Sequence, residues 1–213
     1  MKRLLFCTIL LLIATVAVNA QGFEGGLVAG LAGSQIDGDN FSGYNKVGLE
    51  LGSFADYKLS DKWSVRSGVF LIQKGAHSSA QMPYFKTVID EVEVPLWFNY
   101  YPYKRFGATF GVGFAYIYRA FYHASYTLDR EDLGIGYWDY TAYVSFNYRL
   151  NSFMTLRASY RYGLVPITRP VSWECWKKSI YMFWLSSYPA ATNVCWWTNT
   201  ASMSLEFKIS SKK

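Results

Sequence analysis

Histidine, the side chain best suited to proton transfer near neutral pH, occurs only twice in this chain of 213 residues. The positions are His77 and His123, and the second stands two residues before Ser125 and shortly before Asp129 and Asp132. A histidine beside a serine and a carboxylate can activate the hydroxyl for nucleophilic attack. That grouping is common by chance, and neither histidine has a second histidine or a cysteine at metal-ligand spacing. The sequence therefore predicts no catalytic residue, no metal site and no cofactor, with an enzyme built on His123 and Ser125 as an alternative.

Cysteine is the second residue type that could form a covalent link. Cys7 lies in an apolar amino-terminal segment, which leaves Cys175 and Cys195 as an even pair. In a chain exported to an oxidising compartment, such a pair most simply forms one disulfide. The alternative is two free thiols, because spacing alone does not show that the sulfurs meet. Closing a loop of about 20 residues would stabilise the fold by roughly 3 kcal/mol in the chain-entropy model.

The segment around these two cysteines is rich in aromatic rings with basic neighbours. Its candidate binding residues are Trp173, Trp176, Lys177, Lys178, Tyr181 and Trp184. Large aromatic side chains dominate binding hot spots, and a disulfide lowers the cost of ordering a loop on binding. We therefore expect a recognition surface for a partner protein or a surface glycan. The alternative is a hairpin that packs on the rim of the fold or at a lipid interface.

The start of the chain has the pattern of a secretory signal peptide. Two basic residues, Lys2 and Arg3, precede the apolar run from Leu4 to Val18, and the small-residue ending Val18-Asn19-Ala20 follows. The apolar run is shorter than the roughly 20 residues that a spanning helix needs, which disfavours a membrane anchor. We expect residues 1–20 to be the signal peptide and residues 21–213 to form a single domain.

The composition favours a surface that meets lipid. Aromatic residues make up 19% of the chain and charged residues 17%, against about 25% charged residues in soluble domains. The net charge of +6 falls to +4 once Lys2 and Arg3 are removed (6 minus 2). No run of five or more Lys or Arg occurs, so the charge pattern does not indicate a nucleic-acid partner.

Apolar and polar residues alternate with a period of two through most of the chain, as in strands with two different faces. The carboxyl-terminal segment is the clearest, with Met203, Leu205 and Phe207 on one face and Ser202 and Ser204 on the other. The predicted strands cover residues 23–32, 47–59, 63–71, 91–100, 106–118, 138–150, 154–164 and 197–209. Each is about as long as the 9 to 11 residues that cross a bilayer when tilted. Pro95 on an inner face suggests a bulge in the fourth strand.

Short and long connections between these strands alternate. Residues 60–61, 102–105 and 151–152 form short turns, whereas residues 34–45, 75–90, 119–136 and 165–194 form long loops. This asymmetry predicts an all-β fold, an eight-stranded antiparallel transmembrane β-barrel with short periplasmic turns and long extracellular loops. The alternative is a soluble sandwich or lipocalin-like barrel. Aromatic residues beside the short turns favour the membrane form, since they would make an interfacial girdle; they are Tyr57, Trp63, Tyr100, Phe106, Tyr148 and Phe153.

The inward faces of the predicted strands carry charges of both signs. The main candidates are Glu50, Arg66, Glu91, Glu93, Asp139, Arg157, Arg161 and Glu206, with Asp56, Arg149 and Lys208 on the same faces. Eight strands leave a bore just wide enough for side chains to fill it. Buried charges persist only when they are paired, so we expect a structural salt-bridge network. The alternative is a narrow path for ions or solutes.

Four segments resemble the PorT-type outer-membrane β-barrel family: residues 26–31, 59–65, 73–76 and 93–102. The resemblance runs from about Gln21 to the end of the chain. It implies a cell outer membrane location within a porin-like group of barrels, and a family-level link to protein secretion. Together with the loop composition, it predicts a monomeric, non-enzymatic outer-membrane protein with a structural or surface-binding role. A lipid-modifying enzyme and a narrow pore stay as alternatives.

Overall fold

The computed structural model describes residues 22–39, 43–78, 84–123, 127–129, 133–168 and 195–209. These residues form β-strands and their connections. No helix among them is long and apolar enough to cross a membrane. The strands are β1 Phe23–Asp37, β2 Lys46–Lys58, β3 Trp63–His77, β4 Lys86–Tyr100, β5 Phe106–His123, β6 Thr127–Asp129, β7 Trp138–Arg149, β8 Met154–Gly163 and β9 Trp197–Ile209.

Eight of these strands close into a barrel. Their order is β4-β3-β2-β1-β9-β8-β7-β5, and β4 also pairs with β5, which joins the two ends of the sheet. Every pair is antiparallel, including the contact between the first and last strands, where Leu31 lies opposite Met203. The predicted eight-stranded antiparallel barrel is therefore confirmed. Closure leaves no free edge, so the strands satisfy each other's backbone hydrogen bonds, as a membrane requires.

The strands extend further on the long-loop side than the sequence predicts. The revised ends are Asp37 for β1 instead of Ala32, His77 for β3 instead of Leu71, Lys86 for β4 instead of Glu91, and His123 for β5 instead of Tyr118. In addition, β6 pairs with the last residues of β5, beyond the stretch of β5 that pairs with β7. Parts of the predicted loops 34–45, 75–90 and 119–136 are therefore strand.

The fourth strand carries one irregularity, but not where the sequence suggests. Pro95 is buried on the inner face, and the predicted bulge at this residue is wrong. The register shift lies between Asp90 and Glu91, where Tyr118 of β5 has no residue opposite it. Around Pro95, residues 94–96 of β4 have no partner on β3, but the register of the β3–β4 pair is the same on both sides of this gap. This gap suits a residue that lacks an N–H, and the Ser67 hydroxyl donates to the Pro95 carbonyl oxygen at 2.9 Å.

The outer surface of the barrel is an apolar belt between two rings of aromatic residues. Val47 and Met203 are 65% and 61% exposed, and of the exposed strand residues that the structure describes, only Lys58 and Arg119 are charged. Other exposed members of the belt are Leu27, Leu31, Leu49, Leu51, Val69, Leu71, Val94, Leu96, Phe110, Phe114 and Phe146. A surface of this composition is stable against lipid chains and not against water.

The circle of aromatic residues at the short turns contains the residues that the sequence predicts for it. Trp63 packs on Tyr100 with ring centroids 4.5 Å apart, and Phe106 packs on Tyr148 at 5.0 Å. At the other end, Tyr116 lies 5.8 Å from Tyr137 and 5.4 Å from Trp138. About ten residues of β5 separate the two rings, the length that a tilted strand needs to cross a bilayer. The short turns are therefore assigned to the periplasm and the long loops to the cell exterior.

Above the extracellular ring the barrel interior becomes apolar. The residues that pack together there, called the apolar cap below, are Ile36, Ala76, Phe85, Ile89, Ile117, Ala120, Ile135 and Ile167. Backbone hydrogen bonds fix the loop segments of the cap across the mouth, from Gly136 N to Ile167 O at 2.6 Å and from Ile167 N to Trp196 O at 2.8 Å. Both strands and loops thus close the extracellular end.

Candidate functional site

Small residues on β5 make room for the large side chains inside the barrel. A Cβ atom on Gly111 would lie 3.0 Å from the Trp97 ring, and one on Gly113 would lie 2.5 Å from a Glu93 carboxylate oxygen. The glycines on this strand therefore leave space for bulky neighbours. Because β5 contributes little volume here, side chains of the neighbouring strand β4, Trp97 and Glu93, extend into this space.

The lower layer of the lumen, nearest the periplasm, is centred on Arg66. Its guanidinium donates to both carboxylate oxygens of Asp56, at 2.6 and 2.8 Å, and to those of Glu206, at 2.5 and 3.0 Å. The guanidinium also lies 3.8 Å above the Phe54 ring. Arg66 is 2% exposed and Glu206 is 1% exposed. Two bidentate carboxylate pairs compensate a buried guanidinium better than one pair can.

Below this layer the barrel is closed towards the periplasm by a turn residue. Tyr101 follows β4, and burial raises the pKa of its phenol. Arg149 lies 3.7 Å above the Tyr101 ring, so the structure places this predicted inward residue at the lower end of the bore. Lys208 lies on the same rim and is paired with Glu24 at 2.7 Å.

The middle layer contains two arginines from β8. Arg161 pairs with Glu50 at 2.8 Å and with Glu93 at 3.3 Å. Arg157 lies 3.6 Å from Glu50 and 3.0 Å from Glu206, so it links the middle layer to the lower one. The Thr141 hydroxyl donates to Glu93 at 3.0 Å.

An aromatic stack fills the space beside these arginines. The rings of Trp97 and Tyr143 lie 3.8 Å apart and almost parallel, and Phe70 contacts Trp97 at 5.0 Å. Arg161 lies 4.8 Å from the Tyr143 ring centroid and Arg157 5.3 Å from that of Trp97. Contacts between a guanidinium and an aromatic face are favourable in a dry interior.

The upper layer contains a lysine that the sequence analysis missed. Lys74 is 1% exposed, pairs with Glu91 at 2.5 Å and with Asp139 at 3.2 Å, and lies directly below the apolar cap. The Thr198 hydroxyl donates to Asp139 at 2.5 Å. Alternation along β3, counted from Arg66, predicts that residue 74 faces the lumen. The predicted strand ended at Leu71 and therefore did not include Lys74. The structure thus brings all eight predicted lumen charges into three layers, of which the lower two are linked through Arg157.

Side chains occupy the described part of the bore at successive levels: paired charges, the aromatic stack and the apolar cap. In the three charged layers, each arginine and lysine faces carboxylates. Within the described ranges, no group of three or more His, Cys, Asp or Glu residues is arranged to hold a metal ion. The chemistry of the lumen is therefore mutual neutralisation.

The histidine considered as a catalytic base lies at the extracellular end of β5. His123 Nδ1 is 2.9 Å from the Thr127 hydroxyl, and its ring meets the Tyr84 ring edge at 6.1 Å. Ser125 and Asp132 lie outside the described residues. In the part of the chain that the structure describes, no carboxylate is hydrogen bonded to His123.

The predicted binding loop is also outside the described residues. Cys175 belongs to that undescribed segment, together with Trp173, Trp176, Lys177, Lys178, Tyr181 and Trp184. Cys195 is 5% exposed and packs with Trp197 at the start of β9. The pairing of the two cysteines and the recognition role of the loop therefore stay predictions.

Comparison with known proteins assigns the chain to a family. The model of a family described as outer membrane protein beta-barrel domain matches residues 6–172. The narrower PorT-type resemblance stays a prediction. None of the curated proteins compared with the chain is a significant match.

Solved structures of small outer-membrane barrels are similar to this chain. Ail, the attachment invasion locus protein of Yersinia pestis, is 12% identical, with 87% of this chain and 98% of Ail covered and a TM-score of 0.49. Neisserial surface protein A is also 12% identical, with coverage of 88% and 97% and a TM-score of 0.48. OprG from Pseudomonas aeruginosa is 14% identical, with coverage of 89% and 95% and a TM-score of 0.37.

Proposed function

Because this chain belongs to the outer membrane protein β-barrel domain family, we propose that it is a non-conducting, non-enzymatic barrel of the cell outer membrane that acts through its extracellular loops. The observation that supports this proposal is the filled lumen. Three layers of paired charge and the apolar cap leave the outer ends of the strands as the surface where a ligand can bind.

A pore is the less favoured function for the same reason. Ions pass a pore when its lining offers partial coordination that is easily exchanged. Here each arginine of the three lumen layers already lies beside two carboxylates, as Arg161 does with Glu50 and Glu93. A passing ion would have to break buried pairs whose separation is unfavourable.

A lipid-modifying enzyme also has no specific observation in its favour. Such an enzyme needs a base within hydrogen-bond distance of a nucleophile and a third group that orients the base. His123 instead contacts Thr127 and the Tyr84 ring. We therefore propose no catalytic residue.

The recognition surface we propose is the loop that follows β8, closed by a disulfide between Cys175 and Cys195. Cys195 is only 5% exposed and packs beside Trp197. This burial supports a fixed end for the proposed loop. A fixed base lowers the entropy lost when the aromatic residues of the loop bind a partner. Residues 1–20 are proposed as the signal peptide that directs the chain to the oxidising compartment where this disulfide forms.

The first test is to trap what the loop contacts on intact cells. A photo-reactive amino acid at position 176 should crosslink to a surface protein, or the purified barrel should bind members of a glycan array. Trp176→Ala with Trp184→Ala should lower binding at least about tenfold, because hot-spot aromatic residues contribute about 2 kcal/mol or more each. Mass spectrometry of unreduced peptides should find Cys175 joined to Cys195.

The matched control is Trp63→Ala, which removes a tryptophan from the periplasmic aromatic ring. It should leave binding unchanged. Unaltered binding by the loop variant, with normal folding judged by the gel shift on boiling, would remove the recognition role. Free alkylation of both cysteines without reductant would remove the disulfide.

A further inference from the structure

The fold brings the two histidines of the chain into one row with a lysine between them. Across the β3–β4 pair, His77 lies opposite Lys86, and across the β4–β5 pair, Lys86 lies opposite His123. Residues opposite each other in an antiparallel pair point to the same face. These three residues are called the His–Lys–His row below. Its two histidines are 46 positions apart in sequence, and each lies beside Lys86 in the sheet.

The row faces outward from the barrel wall. On β3, Lys74 points into the lumen, where it pairs with Glu91, and on β4, Ile89 belongs to the apolar cap. His77 and Lys86 each lie three residues from one of these inward positions, and successive strand residues alternate between faces. Tyr84, 56% exposed, lies on the same side, with its ring 5.6 Å from the His77 ring and 6.1 Å from the His123 ring.

Among the described residues, both imidazoles are hydrogen bonded through Nδ1, which leaves the Nε2 atoms for a ligand. His77 Nδ1 is 2.7 Å from the Ser78 carbonyl oxygen, an acceptor, so this nitrogen carries the proton. His123 Nδ1 is 2.9 Å from the Thr127 hydroxyl. A ring held at Nδ1 is fixed in orientation, which prepares the other nitrogen for a partner.

Lys86 carries the positive charge of this row. Among the described residues, no carboxylate is paired with Lys86. The nearby Asp90 pairs with Arg119 instead. Lys46 is close enough to Lys86 for the two charges to repel each other. An anion placed against the row would therefore gain attraction without displacing an existing ion pair.

The height of the row indicates where that anion comes from. The extracellular aromatic ring includes Tyr116, opposite Val92, and marks the end of the apolar belt. Lys86 is six residues further along β4, or about 20 Å along a tilted strand at roughly 3.3 Å per residue. The headgroup layer begins at the extracellular aromatic residues, so the hydrocarbon core ends well below Lys86. A headgroup larger than that of a phospholipid is needed to reach the row.

We propose that the His–Lys–His row binds a phosphate group on the saccharide headgroup of an outer-leaflet glycolipid. The lysine supplies a point charge, and the imidazoles supply N–H donors when protonated. Basic groups beside a membrane surface bind anionic headgroups in this way. The site uses residues of β3, β4 and β5 and none of the residues proposed for recognition, so different substitutions test the two proposals.

The test uses the folded barrel in phosphatidylcholine nanodiscs, with diphosphoryl lipid A as the probe and native mass spectrometry to count bound molecules. The triple variant His77→Gln, Lys86→Gln and His123→Gln should bind this probe at least about tenfold more weakly, since hydrogen bonds to a charged group are among the strong ones. Lys86→Gln alone should lose part of the affinity, and Lys86→Arg should retain most of it.

The control removes the same kind of charge at the other end of the barrel. Lys62→Gln with Lys104→Gln, in the exposed periplasmic turns, should bind as the wild type does. Equal binding by the triple variant, or equal binding of dephosphorylated lipid A, would overturn the proposal. Binding of inorganic phosphate at the row without binding of the lipid would also overturn it, since the site would then take free anions.

Discussion

Arg66 illustrates how this barrel tolerates full charges in its interior. The guanidinium contacts four carboxylate oxygens and the Phe54 ring. A buried ion of this kind is stable only while its partners stay ionised and in place, because desolvation of an unpaired charge is very unfavourable. The partners of Arg66 come from β2 and β9, so the charge also holds two neighbouring parts of the sheet to β3.

Removing one partner should therefore be far more harmful than removing a surface charge. We expect Glu206→Gln to lower the free energy of unfolding by about 3 kcal/mol, because it weakens the pairs with Arg66 and Arg157 together. Glu24→Gln, which removes a partly exposed carboxylate that pairs with Lys58 at 2.6 Å and with Lys208 at 2.7 Å, should change it by about 1 kcal/mol or less, because solvent screens these pairs. Urea titration in lipid vesicles measures both. Equal effects of the two substitutions would show that the lumen pairs do not stabilise the barrel.

The residue types of the lumen were predictable where the membrane imposes the alternation. All eight charges expected inside are buried, since a strand that faces lipid on one side has only the lumen for its polar side chains. Phe54 and Phe70 could not be assigned this way, because they are apolar residues on inward positions. They occupy the space that small residues on neighbouring strands leave open, which depends on cross-strand register.

At the scale of the strand, the alternation fails just where the membrane ends. Residues 87–91 of β4 are all buried, and the inward positions change from charged, as at Glu91, to apolar, as at Ile89. A stretch that is buried on both faces has no period of two, so the alternation did not indicate that β3, β4 and β5 continue above the bilayer. The predicted long loops were too long for this reason.

The glycines of β5 predict a clear effect at the same scale. We expect Gly111→Val to prevent normal folding or to lower the melting temperature strongly, since even its Cβ would lie 2.2 Å from the Leu96 carbonyl oxygen and 2.8 Å from the Trp97 Cα atom. Gly33→Ala is the control, because a Cβ there meets nothing closer than 3.6 Å. The gel shift on boiling and the tryptophan emission of the folded form measure the outcome. A normally folded Gly111→Val barrel would show that the close contact with β4 is not required.

At the scale of the whole molecule, the lumen contains barriers in series. The aromatic stack and its arginines close the middle of the bore, and the apolar cap closes the extracellular end. The two barriers are built from different strands and use different forces, ion pairing with ring stacking in one and apolar packing in the other. Loss of one barrier therefore leaves the other in place.

This arrangement predicts how conductance depends on paired substitutions. The wild-type barrel should show no steady conductance in planar lipid bilayers. Ile89→Ser with Ile117→Ser, which weakens the cap, should also stay closed, and so should Trp97→Ala with Tyr143→Ala, which removes the stack. All four substitutions together should also stay closed, because the ion pairs of Arg66 in the lower layer and the Tyr101 ring below them remain in the bore. The gel shift on boiling checks that each variant is folded. Stable single-channel steps in the wild type, or in any of these folded variants, would contradict a lumen that is closed at several levels.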